Sequence, residues 1–311
     1  MISRPYIFWP NVAGIVSLVI GFVALRRALV TASPRDKLIV AGPVFFAAPL
    51  AAFGALHLCI APFMMQNVPA WMPGRLFLTY FVGVALLATA TSVVTRRQVR
   101  LAAALVGILF VVFVSTMHLP NAMRNPAERT RWAVVLRDLS FGAAAWAFAG
   151  TRTDEWRLRG THWTATYARV LLGVALVFFA VETLLHPEFT PGVPLQKVTP
   201  AWFPLARVWG YVTGAGLLAT GVCLLTNIST RAASSGLGGL SLLLTAFMYV
   251  PILLAARGSG AILEGQNYVW DTLLFAGTLL LVAHAMPASG PAPAAIPAAQ
   301  PNVWRTTGEG A

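Results

Sequence analysis

Nine stretches of about twenty mostly apolar residues, separated by short polar segments, limit what this chain can fold into. They run over approximately 6–30, 38–61, 76–95, 99–119, 132–150, 167–186, 205–226, 232–255 and 268–286. About twenty helical residues cross a hydrocarbon core of roughly 30 Å, and a helix satisfies its own backbone hydrogen bonds where no water can. The expectation is an all-α polytopic membrane protein with nine transmembrane helices. With 58% hydrophobic and 10% charged residues, a soluble core is not what the sequence encodes. The first run follows Arg4 and shows no small-residue cleavage site before Arg26 and Arg27, so it reads as a span and not a removable signal.

The formal charge of +12 lies between the apolar runs and forms no continuous basic stripe, which argues against nucleic acid as a partner and for topology signals. With the N-terminus outside, thirteen of the 22 Lys and Arg residues fall on cytoplasmic segments and eight on outer ones, with Arg137 inside a span. The orientation expected is therefore N-terminus out and C-terminus in.

A short phrase occurs twice: Pro69-Ala70-Trp71-Met72-Pro73 and Pro200-Ala201-Trp202-Phe203-Pro204. The offset of 131 residues persists through Tyr80/Tyr211, Gly83/Gly214, Thr89/Thr220, Arg100/Arg231, Gly107/Gly238 and Met117/Met248 to Pro120/Pro251. About one position in three is identical over this segment, against roughly a tenth by chance. The sequence thus reads as an N-terminal helix and basic loop (1–37), a four-helix repeat (38–150), a cytoplasmic linker (151–166), a second four-helix repeat (167–286) and a disordered Pro/Ala-rich tail (287–311). An even number of spans per repeat makes the copies parallel, related by an axis along the membrane normal. Each phrase is expected to form a short surface helix, with Trp71 or Trp202 at the headgroup level.

The polar residues inside the spans gather toward one leaflet, the outer one in this orientation. They are His57, His118, Arg137 and Asp138 in the first repeat, and Glu182, His186, Tyr249 and Asp271 in the second. His118 aligns with Tyr249, Asp138 with Asp271 after a two-residue insertion, and His57 approximately with His186. A charged side chain at membrane depth costs about 2.5 to 3.5 kcal/mol on insertion scales, so the set calls for partners, with Arg137 and Arg131 available to the aspartates. Glu182 and His186 share a helix face at i, i+4 and are positioned to pair directly. The same residues can instead serve only to tie helices together.

No metal-binding, phosphate-binding or dinucleotide motif is present, and no metal site is expected. His57 and His118 lie on neighbouring helices, but Tyr249 replaces one of them in the second repeat, so haem is not expected. His162 reads as a solvated linker residue. Cys59 and Cys223 fall near opposite membrane faces and read as core filling.

The four-helix unit with His57 before Pro62, the Pro-Ala-Trp-Met-Pro turn, Arg96-Arg97, His118 closing the third helix, and Arg137-Asp138-Leu139-Ser140-Phe141-Gly142 in the fourth resembles the DoxX family of small membrane proteins. The resemblance covers 38–150 best, and the chain departs from the usual single unit by carrying two. It implies a bacterial-type cytoplasmic membrane and, from one branch, the membrane subunit of a thiosulfate:quinone oxidoreductase.

Three functions follow as alternatives. In the first, a quinone-interacting subunit places a headgroup among His57, His118, His186, Glu182 and Asp138, and a cofactor-bearing redox partner protein supplies the electron route. In the second, a small-solute carrier rocks two repeats about a site between them. The Gly-rich stretches 214–221 and 236–239 favour this reading, and the absence of an interrupted helix disfavours it. The third is a non-catalytic scaffold or assembly factor.

Overall fold

The computed structural model describes residues 5–152, 163–192 and 196–287. Among them, nine helices are long and apolar enough to cross a membrane: α1 (Pro5–Thr31), α2 (Lys37–Cys59), α3 (Arg75–Val94), α4 (Val99–Arg124), α5 (Arg129–Gly150), α6 (Trp163–Leu185), α7 (Ala206–Thr226), α8 (Thr230–Ala255) and α9 (Ser259–Ala285). The chain is an all-α multi-pass membrane protein in contact with the bilayer. Three boundaries differ from the sequence reading by four residues or more, the first being the end of α4, which runs on to Arg124 past the expected 119. The helix α6 begins inside the expected linker, and α9 begins nine residues before the expected 268, because Ser259 to Asn267 are too polar to register as a span yet still coil as helix. The rest of the linker, with His162, and nearly all of the expected tail lie outside the described residues.

Neighbouring helices pack in the same order in both halves: α2 on α3, α3 on α4 and α4 on α5, then α6 on α7, α7 on α8 and α8 on α9. The fourth helix of each half then packs against the first helix of the other, α5 on α6 and α9 on α2, while α5 and α9 meet in the middle. Interchanging the halves therefore reproduces the packing. Three helices are mostly enclosed, with 83% of the apolar window of α9 and 72% of those of α2 and α5 buried. The helix α6 holds the place of α2 but is only 44% buried, because α1 covers α2 and nothing equivalent covers α6 among the described residues.

Lipid tails are as apolar as the core, so helix association rests on close packing and internal hydrogen bonds. Small residues supply the closeness. Ala47, Ala48, Ala51 and Ala52 line α2, and Ala143, Ala144, Ala145 and Ala147 line α5. At Gly277 a Cβ would run into the Phe45 and Phe46 backbone of α2, so only glycine allows α9 to lie this near.

Backbone irregularities recur at the offset of 131. Left-handed residues pair as Gly74 with Leu205, Arg96 with Asn227, and Gln98 with Ser229, at φ 63°/54°, 62°/60° and 52°/49°. Arg96 and Asn227 end α3 and α7 alike: Arg97 N–H reaches Ser92 O at 3.0 Å and Ile228 N–H reaches Cys223 O at 3.0 Å, the six-residue closure that satisfies terminal carbonyls. Both α4 and α8 widen into a π segment, Val114–His118 and Thr245–Tyr249. Pro120 and Pro251 follow two residues later. A proline removes an amide donor and crowds the preceding turn, and the wider turn absorbs that mismatch. Neither helix was expected to be interrupted.

The Pro-Ala-Trp-x-Pro phrases are turns, not surface helices. Met72 N–H closes on Pro69 O at 3.0 Å and Phe203 N–H on Pro200 O at 2.9 Å. The two prolines leave too few amide donors for a helix to propagate. In the first half a helical turn, Ala61–Met64, and a 3-10 turn, Met65–Asn67, precede the phrase. In the second half the preceding segment is instead a small antiparallel bridge, Phe189 to Val198.

Candidate functional site

Four polar side chains meet where α4 and α5 of the first half face α9 of the second. Arg137 of α5 donates Nε–H to Asp138 Oδ1 at 2.9 Å and an Nη1–H to Asp271 Oδ2 of α9. His118 of α4 places Nε2 3.0 Å from Asp138 Oδ2. Arg137 lies eight residues into α5, about 12 Å along the axis, so the network sits well below the helix ends. Side-chain exposures of 7% for Asp138 and 25% for His118 show a network that is neither sealed nor in bulk water.

What it faces is a cavity of ≈ 1410 Å³ walled by α2, α3, α4, α5 and α9. Its walls are mainly apolar, with Leu50, Phe53, Leu56, Leu78, Val82, Phe110, Phe113 and Phe141 among them. His57, Arg75, Arg124 and Asn267 add to the polar side, and the turn from Val68 to Met72, Trp71 included, closes one edge. Arg75 fixes that edge by donating Nε–H and Nη2–H to Met65 O at 3.2 and 3.0 Å. Phe81 on α3 and Val112 on α4 line the cavity while remaining 55% and 43% exposed on the bundle's outer wall.

The local sequence explains how these groups arrive. His118 is the last residue of the first π segment, and the extra backbone of that turn sets its direction. Asn267 and Asp271 are one turn apart on α9 and share a face. His57 is anchored at 2.8 Å from Phe53 O, one turn back on α2.

The expected site residues thus divide. His57, His118, Arg137, Asp138, Asp271 and Trp71 border one cavity. Glu182 and His186 are elsewhere, in a shallow cleft with Arg129, Thr190 and Gln196. They do not bond each other through their side chains. Arg129 lies between them, 3.4 Å from Glu182 Oε1 and 2.9 Å from His186 Nε2, and so links α5 to α6. Arg131, an expected partner for Asp138, instead donates to Asn121 O and Oδ1 at 2.9 and 2.8 Å.

Tyr249, aligned with His118, is fully buried among Met248, Ile252 and Val269, and its hydroxyl donates to Pro191 O at 2.7 Å. The segment carrying Pro191 is held by Thr190 N–H to Lys197 O at 2.8 Å, by Thr199 N–H to Glu188 O at 2.9 Å, and by the Lys197 to Glu264 ion pair. Protein thus occupies the place in the second half that the cavity borders in the first. Trp202 is 54% exposed and packs on Phe203.

Asn267, Arg75 and Arg124 were not singled out from sequence. The first fell outside its expected span, and the other two looked like ordinary topology charges. Among the described residues, no group of three or more His, Cys, Asp and Glu side chains is arranged to hold a metal ion. Cys59 and Cys223 are free thiols. The chain matches no known family, no curated protein and no solved structure.

Proposed function

We propose that this membrane protein binds a lipid-soluble amphiphile of the quinone class in the cavity of its first half, as the membrane subunit of a redox complex. The observation that carries the reading is the cavity itself, apolar along its walls and polar where His118, Asp138, Arg137 and Asp271 meet. The headgroup of such a ligand finds hydrogen-bonding partners at one end. The electron route belongs to a cofactor-bearing partner protein. The DoxX-like resemblance of 38–150, a tandem duplication as the origin of the two halves, and a bacterial inner membrane with the cavity toward the outer leaflet are parts of the same reading.

A carrier built on two equivalent halves is favoured less. The second half offers buried Tyr249 where a matching gate would need a mobile group.

The test is purification in mild detergent followed by organic extraction. A co-purifying quinone, lost in Asp138→Ala protein that still folds, is the expected result. An extract free of quinone from protein that also fails to take up added quinone would overturn it.

A further inference from the structure

We propose that the polar side of the cavity selects the hydroxyl-bearing, reduced form of its ligand, because His57 Nε2 and Asn267 Oδ1 are held there as hydrogen-bond acceptors unpaired among the described residues. This rests on the quinone-class reading above and concerns which oxidation state the site prefers.

Consider His57 first. Its Nδ1 lies 2.8 Å from Phe53 O, and a carbonyl oxygen has no hydrogen to give. The hydrogen is therefore on Nδ1, and the neutral ring keeps a lone pair on Nε2. No carboxylate pairs with His57 among the described residues, so nothing there stabilises a second proton at this depth.

His118 is fixed the other way round. Its Nε2 is 3.0 Å from Asp138 Oδ2, and the same carboxylate already accepts from Arg137 Nε. An ionised carboxylate only accepts, so His118 donates from Nε2 and is engaged there.

The other charged groups do not reverse this. On α5 and α9, Arg137 is engaged by Asp138 and Asp271, two carboxylates against one guanidinium. On α3, Arg75 is committed to Met65 O, and on α4, Arg124 is solvent-exposed at the cavity's rim. Asn267 Oδ1 on α9 adds a buried acceptor with no partner among the described residues.

A hydroquinone presents O–H donors to these lone pairs, whereas a dione presents only acceptors and leaves them unpaired. One such mismatch is worth about tenfold in affinity.

The experiment is anaerobic calorimetric titration of the full chain in lipid nanodiscs with a short-chain hydroquinone and, separately, with its oxidised benzoquinone. The hydroquinone is expected to bind about tenfold more tightly. His57→Phe should bring the two forms toward parity while dione binding persists. Equal affinities in the unaltered protein, or a preference for the dione, would overturn the inference and leave the quinone-class reading standing. Binding of neither form would remove that reading as well.

Discussion

Arg137 has two carboxylate partners and no rival cation in the network, so the charge balance of the cavity depends on it. Removing one member of a buried ion pair costs about 3 to 5 kcal/mol, because the remaining charge has neither water nor partner. Arg137→Met should therefore destabilise the protein by about that amount. Adding Asp271→Leu should cost much less than the sum of the single changes, with a coupling of about 1 to 3 kcal/mol read from unfolding in detergent. Additive costs would mean that the two side chains are separate anchors. Arg137, Asp138, His118 and Asp271 were visible in the sequence because polar residues in apolar runs stand out. Which of them touch was not visible. Asp138 goes to His118 and Arg137 and not to Arg131, and Glu182 and His186 join through Arg129, because those choices depend on helix rotation and not on spacing along the chain.

Helix number and order follow from hydropathy and appear as expected, but the irregular turns do not. A run of apolar residues reports its length, whereas a π segment adds backbone without changing the run, so α4 and α8 read as plain spans. The Pro-Ala-Trp-x-Pro phrase was misread for a related reason. Its prolines stop a helix from propagating, and that outweighs the preference of its tryptophan for the interface. The left-handed positions carry a cost that differs between the halves. Gly74 adopts its φ of 63° freely, while Leu205 is forced to 54° with a branched side chain. That conformation costs about 1 to 2 kcal/mol for a residue with a Cβ. Leu205→Gly should raise stability toward unfolding by about 1 kcal/mol, and Gly74→Leu should lower it by a similar amount. If Leu205→Gly instead lowers stability, the exposed leucine makes a lipid contact that outweighs its strain.

The bundle as a whole places the turns after α2, α4, α6 and α8 on one side of the membrane, and with them the cavity. In the proposed orientation, with the N-terminus outside, that side is the exterior. In a background without Cys59 and Cys223, a cysteine at Asn125 should react with an impermeant thiol reagent added to intact cells, and one at Arg97 should react only after lysis. The reverse pattern would put the cavity on the cytoplasmic side and leave its geometry unchanged. Interchanging the halves reproduces the helix packing, yet only the first has His118 beside open space. In the second, Tyr249 and the Pro191 segment occupy the matching place. A pair of identical units would offer two sites and, with them, a means for the first ligand to influence the second. On the proposed reading the described residues of this chain hold one such site, and a single site fills along a simple hyperbola.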